Sequence, residues 1–211
     1  MKPSRVNILI ACEESQAECK AFRERGFKAF SCDIQKPRFE PKWHIKGDVT
    51  PYLQGRTKFK TMDGKRHTLK RWHLIIAHPP CTYLCKVSAV QMVQKGIINK
   101  DRYDKMLEAR QFFYQCLAAK ADYVAVENPL PMARAELPKP SFYVCPSWFG
   151  HKYTKKTLYW VKGLPPIFAV IDYPGAKSFV RHSRGKYRSR TFEGVAAALA
   201  SQWGDFLIEN L

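Results

Sequence analysis

The chemistry-bearing residues of this 211-residue chain sit at the ends of short apolar runs. Cys81 follows Leu74–Ala77 across His78-Pro79-Pro80. The run has the pattern of a strand buried on both faces of a parallel sheet. Two consecutive prolines stop it, because neither donates to a sheet ladder and each fixes φ. A thiol on a rigid turn just past a central strand stands where ligands collect in open α/β sheets, and it is placed to act as a nucleophile. Taken alone, a small buried cysteine in a β-to-α turn is the commoner case. The run at 123–126 repeats the arrangement, ending in Glu127-Asn128-Pro129. A carboxylate there beside Cys81 is a candidate acid; otherwise Glu127 is a solvent-facing loop residue.

The elements that must position these groups are legible upstream. Residues 6–11 read as a buried first strand, followed by Cys12-Glu13-Glu14-Ser15-Gln16 and a helical stretch ending at Arg25-Gly26, where glycine suits a C-terminal cap. Residues 27–32 form a second strand closed by Asp33. Strand, turn, helix, strand and acid in this order open a Rossmann-like unit, with the acid placed to bond the ribose hydroxyls of an adenosine. An ordinary loop aspartate would look the same in isolation. The first turn lacks a glycine-rich loop, and carboxylates at Glu13 and Glu14 repel phosphates, which argues against an NAD-type cofactor. A cofactor bearing an ammonium or sulfonium charge is tolerated. Gly47-Asp48 ends another short segment, where the aspartate could hold the adenine end of a nucleoside.

Charge points to the partner. The chain has 36 Lys+Arg against 18 Asp+Glu, a formal net charge of +18. Such a balance favours a polyanion, nucleic acid above all, through counterion release. Residues 56–71 hold seven Lys/Arg around Asp63-Gly64, which predicts a basic β-hairpin inserted at 54–73. A merely solvated protrusion has the same composition. Arg181, Arg184, Lys186, Arg188 and Arg190 form a second basic cluster. Seven scattered cysteines make no paired CxxC set, so neither a disulfide framework nor a zinc site is expected; Cys81, Cys85 and His78 lie close together without a second ligand pair. No apolar stretch reaches the length of a membrane span, and the first run meets Glu13-Glu14 instead of a signal cleavage site, so a cytoplasmic protein is expected. The length suits one domain, 1–211. A loop is expected after Cys81 as far as Lys95-Gly96, then a helix near 100–120, a strand at 158–161 and a closing helix at 192–207.

In chain order, Asp33, Gly47-Asp48, Pro80-Cys81, Glu127-Asn128, Lys155-Lys156-Thr157 and the segment from Arg190 through Gly194 resemble the motifs of the DNA cytosine-5 methyltransferases. The resemblance covers most of the chain. It implies a Rossmann-like S-adenosylmethionine-dependent methyltransferase fold, an α/β architecture with a mostly parallel sheet and helices on both faces. It implies that Cys81 adds to C6 of cytosine, that Glu127 contacts N3, and that Lys155 and Lys156 stand where the family has active-site arginines. S-adenosyl-L-methionine would be held by Ala11, Cys12, Glu13, Glu14, Ser15, Asp33, Ile34, Asp48, Val49 and Pro79. Nucleic acid, DNA rather than RNA, would meet Lys58, Lys60, Arg66, Lys70, Arg184 and Arg188. The chain departs from the family in its first motif, Ala11 to Ser15, in Pro129 where valine is usual, and in a recognition segment reduced to 163–190. The context also resembles small phage-encoded methylases, which would act in a host cytoplasm. Three other readings stay open: transfer to an exocyclic amine, against which Cys81 argues; a pyrimidine-modifying enzyme acting on nucleotides; and a non-catalytic nucleic-acid-binding protein on a degenerate methyltransferase scaffold.

Overall fold

Apolar runs without alternation become the centre of one sheet. The computed structural model describes residues 1–94, 96–171, 173–179 and 191–211. In chain order its strands are β1 (Asn7–Ala11), β2 (Lys28–Asp33), β3 (His44–Lys46), β4 (Lys58–Lys60), β5 (Arg66–Thr68), β6 (Leu74–Ala77), β7 (Val93–Gln94), β8 (Ile97–Ile98), β9 (Tyr123–Pro129), β10 (Phe142–Val144), β11 (Tyr153–Thr154), β12 (Thr157–Lys162) and β13 (Lys177–Ser178). The helices are α1 (Ala17–Glu24), α2 (Thr50–Leu53), α3 (Lys100–Leu117) and α4 (Glu193–Asn210). Seven strands form the main sheet in the order β10-β12-β9-β6-β1-β2-β3. β3, β2, β1, β6 and β9 run parallel, while β12 and β10 close the sheet antiparallel. The protein is thus α/β, with a mostly parallel mixed sheet compatible with a Rossmann-like fold.

Successive side chains of each strand go to opposite faces. Leu9, Ala11, Ile75, Ala77, Val124 and Val126 pack on one face with Met106, Phe113 and Cys116 of α3. Ile8, Ile10, Ile76 and Ala125 pack on the other with Cys19 and Phe22 of α1 and Leu199, Trp203 and Leu207 of α4. Each fully buried Ile or Leu contributes about 1.5–3 kcal/mol relative to exposure, which makes both faces matter. Two glycines meet real constraints. Gly26 stops α1 with φ +85°, as expected for a C-terminal cap. Gly194 lets α4 start against the 149–151 turn: an added Cβ would overlap the Phe149 carbonyl oxygen and lie 2.7 Å from His151 Nε2.

The predicted hairpin forms as β4 and β5, and its alternation explains its seat. Phe59 points inward, stacked on His67 at 5.1 Å and on Trp72 at 5.6 Å, and edge-on to Phe30 at 4.9 Å. Lys58, Lys60 and Arg66 therefore face solvent. Beyond Cys81, where sequence suggests a loop, the chain folds into a 3-10 turn (Lys86–Gln91) and the small β7–β8 hairpin. Leu84 and Met92, both buried in the α3-side core, pull that segment inward. Among the described residues no helix is long and apolar enough to cross a membrane.

Candidate active site

Register decides what meets at the C-terminal edge. Ala11 lies beside Ala77, and Ala77 beside Val126, so Cys12, His78 and Glu127 follow at one level. β6 stops there at the prolines, but β9 continues to Pro129 because β12 pairs with it, Tyr159 opposite Glu127. Glu127 is consequently a strand residue and not the solvent-facing one that its sequence also allowed. Around this edge lies a cavity of about 320 Å³, lined by the 12–15 loop, Asp33, Gln35, the stretch from His78 through Thr82, Glu127, Pro129, Lys155 and Thr191.

Alternation also aims His78. Ile76 faces the α1–α4 side, so His78, two residues on, faces it too. There its Nε2 lies 3.1 Å from Glu18 Oε2, on the first turn of α1, and its Nδ1 lies 3.2 Å from Glu127 Oε2. Glu18 is fully buried, and the Thr191 hydroxyl donates to its other oxygen at 3.1 Å. Burial alone would lower the His78 pKa, but the charge of Glu18 and the hydrogen bonds to Glu127 and Glu18 hold it well above the ordinary value. Burial acts to raise Glu127, yet the bond to His78, its charge and that of Lys155 hold the carboxyl below its usual range. Both nitrogens are donors only in the imidazolium, and two acceptors flank this ring. The arrangement is a buried Glu18–His78–Glu127 bridge whose two flanking acceptors favour a protonated ring.

The loop after β1 gets its turns without glycine. Cys12 and Gln16 adopt left-handed backbone, φ 60° and 58°, each costing about 1–3 kcal/mol. Hydrogen bonds hold the loop there: Glu13 N donates to the Cys32 carbonyl at 3.2 Å, while the Gln16 side chain accepts from Glu40 N at 2.7 Å and Phe39 N at 3.2 Å and donates to Ser31 Oγ at 3.1 Å. The neighbouring carboxylates part company. Glu13 turns inward, accepting from Glu18 N at 2.7 Å and Cys19 N at 3.3 Å at the start of α1. Burial and the charge of Glu18 push its carboxyl up to about 8. Glu14 pairs with Arg38 at 2.6 Å. The loop thus presents less negative charge to the cavity than Glu13-Glu14 implies in sequence.

Glu13 supports a prediction with a definite sign. A carboxyl raised on folding contributes stability that is complete below its unfolded value, about 4.3, and lost as pH rises through its folded one. Between pH ~5 and ~8 Glu13 should therefore cost the native state up to about 1.4 kcal/mol per pH unit. His78, also raised, acts in the same direction above pH ~6.5. Glu13→Gln, which keeps the shape without the titration, is expected to flatten thermal midpoints across that interval. Midpoints that track wild type would show that Glu13 is charged in the fold.

Cys81 is half-buried on the Pro79-Pro80 turn, which Asn128 Nδ2 ties down through the Pro79 carbonyl at 3.4 Å. Its thiol is hydrogen-bonded to that of Cys85; this contact, burial and the nearby charges of Cys85 and Glu127 raise it, while Lys155 works against them. Cys85 takes the opposite share, lowered to about 5 by the bond to Cys81 and by the hydroxyl and backbone N–H of Ser88. The two thiols titrate as a pair, with Cys85 the more acidic of the two.

The expected residues separate. Cys81, Glu127, Lys155, Cys12, Glu13, Glu14, Ser15, Asp33 and Pro79 all line the cavity. Ile34 lies beside Asp33, 74% exposed. Ala11 and Val49 are buried in the core, and Asp48 turns onto the start of α2, accepting from Thr50 N at 2.9 Å and Thr50 Oγ1 at 2.8 Å. Lys156 turns away, its Nζ 4.1 Å from the centre of the Tyr143 ring. Lys58, Lys60, Arg66 and Lys70 are exposed; Lys70 borders a second cavity with Arg5, Lys28 and Arg71 at the N-terminal ends of β1, β2 and β6, the sheet edge opposite Cys81. Arg184 and Arg188 lie outside the described residues, as does the whole basic cluster at 181–190. Glu18, Thr191 and the bridging role of His78 are not visible in the sequence pattern; the one available signal was the two-residue period from Ile76. Comparison with protein-family models and with curated proteins found no match to the chain.

Proposed function

We propose that the protein is an S-adenosylmethionine-dependent methyltransferase that modifies C5 of cytosine in nucleic acid. The observation that carries this reading is the convergence of Cys81, Glu127, Lys155 and Asp33 on one cavity at the C-terminal edge of a mostly parallel sheet. C5 of cytosine is too electron-poor to take a methyl group unaided. Thiolate addition at C6 turns it into an enamine, and a proton at N3 stabilises the adduct. Cys81 makes the addition, passing its proton to the Cys85 sulfur as the bond to C6 forms. Glu127 faces N3, and the Lys155 charge favours the thiolate. A cytosine within a duplex would have to leave the stack to reach this edge.

The donor set suits the cofactor. The cavity falls within the ~300–1,000 Å³ of small-molecule sites. Asp33 is placed at the end of β2 for ribose hydroxyls, and the exposed Ile34 offers an apolar surface to an adenine. Glu14, which lines the cavity although paired with Arg38, tolerates a cation. When bound, S-adenosylmethionine supplies an electrophilic methyl group on a sulfonium. Incubating the protein with labelled S-adenosylmethionine and unmethylated duplex DNA is expected to yield 5-methylcytosine by nucleoside mass spectrometry. Millimolar S-adenosylmethionine should also raise the melting temperature. Unmodified DNA with no thermal shift would overturn the reading.

A further inference from the structure

The N3 proton has to come from somewhere, and Glu127 does not hold it at rest. Its carboxyl lies below the usual range because His78 and Lys155 favour the charged form. We propose that His78, backed by Glu18, is a positioning residue that supplies Glu127 with the proton presented to N3 of cytosine. This rests on the methyltransferase reading of the site.

The geometry supplies a path. Nδ1 of His78 is 3.2 Å from Glu127 Oε2, and Nε2 is 3.1 Å from Glu18 Oε2. As Cys81 adds to C6 and electron density builds at N3, a proton passes from His78 by way of Glu127 to N3, the Glu127 O–H bond forming and then breaking in turn. Glu127 Oε2 takes the Nδ1 proton of His78, which becomes neutral imidazole and keeps its Nε2–H on Glu18. Once solvent water has taken the proton from C5, the C6–sulfur bond breaks with its electron pair leaving on Cys81, N3 returns its proton to Glu127 and Glu127 returns it to Nδ1, so the relay is restored. Thr191 on the far oxygen of Glu18 keeps that carboxylate turned towards the ring. The purely structural alternative is a buried ion pair that only braces α1 against the sheet. Such pairs are poor braces, since desolvation offsets their attraction, and this one opens on the cavity.

Other titratable groups surround the bridge: Glu13 from the loop after β1, Lys155 ahead of β12, and Tyr159 on β12, whose phenol burial and the charges of Glu18 and Glu127 hold well above its ordinary value. Three measurements on the full chain isolate His78 from them. Nitrogen-15 spectra of the wild type at neutral pH should show both ring nitrogens of His78 protonated; a neutral ring overturns the relay whether or not the protein is active. In single-turnover methylation of duplex DNA, His78→Gln should lose about 10²-fold or more and with it the alkaline fall in rate, while S-adenosylmethionine still raises its melting temperature as in wild type. Glu18→Gln, which keeps the ring but weakens its hold on the proton, should move the alkaline limb down by about one pH unit, and it decides the matter if His78→Gln does not fold. An active wild type whose two variants keep its rate and pH profile defeats the relay alone. A wild type that transfers no methyl group defeats the methyltransferase reading and the relay with it.

Discussion

Replacing Cys81 by serine is expected to reduce methyl transfer by more than about 10⁴-fold, because a hydroxyl with no strong base beside it cannot add to C6. DNA carrying 5-fluorocytosine should trap the wild type as a covalent complex on Cys81, since elimination would require fluorine to leave as a cation. Peptide mapping of that complex reads the attacking sulfur directly. The nearby thiol makes this a sharp test. Cys85 is the more acidic thiol of the pair, lowered to about 5, while Cys81 is raised. If thiolate fraction alone decided reactivity, Cys85 would be trapped. Cys81 borders the cavity with Glu127 and Cys85 does not, so we expect the adduct on Cys81. Cys85→Ser should remain active but need a higher pH, having lost the sulfur that accepts the Cys81 proton. An adduct on Cys85, or full activity in Cys81→Ser, would sink the mechanism.

Charge reversal of Lys58, Lys60, Arg66 and Lys70 is expected to weaken DNA binding by about 10²-fold or more, almost equally for all sequences. The dependence of log K on log salt should flatten by roughly three to four, about 0.9 for each phosphate that is no longer neutralised. Phe59 is the reason these charges act together: packed on His67 and Trp72, it fixes the hairpin to the sheet with its basic face outward. Lys70 sits at the sheet edge away from Cys81, so a polymer touching it as well as the cleft must run across the side of the domain. Equal methylation of free cytidine nucleotides and DNA, with no effect of salt, would mean that the basic hairpin serves something else.

What the sequence determined by itself is local. An apolar run stopped by Pro79-Pro80 located Cys81 just past a strand end, because proline chemistry and buried-strand patterning act within a few residues. Glu127, read as ending its run, lies instead inside β9, which goes on to Pro129 through its pairing with β12. Lys58-Phe59-Lys60 around Asp63-Gly64 announced the hairpin by the same short-range logic. Tertiary structure decided the partners. Glu18 and His78 are 60 residues apart and meet only because α1 crosses the face that Ile76 shares with His78. Glu13 and Glu14, adjacent and identical in sequence, end respectively as a helix cap and as the partner of Arg38. Lys155 and Lys156 divide between the cavity and the Tyr143 ring, and Asp48 serves α2. Each of these outcomes depends on strand register and on which helix covers which face. Those are set by burial summed over the whole core, so no local pattern of residue types could have announced them.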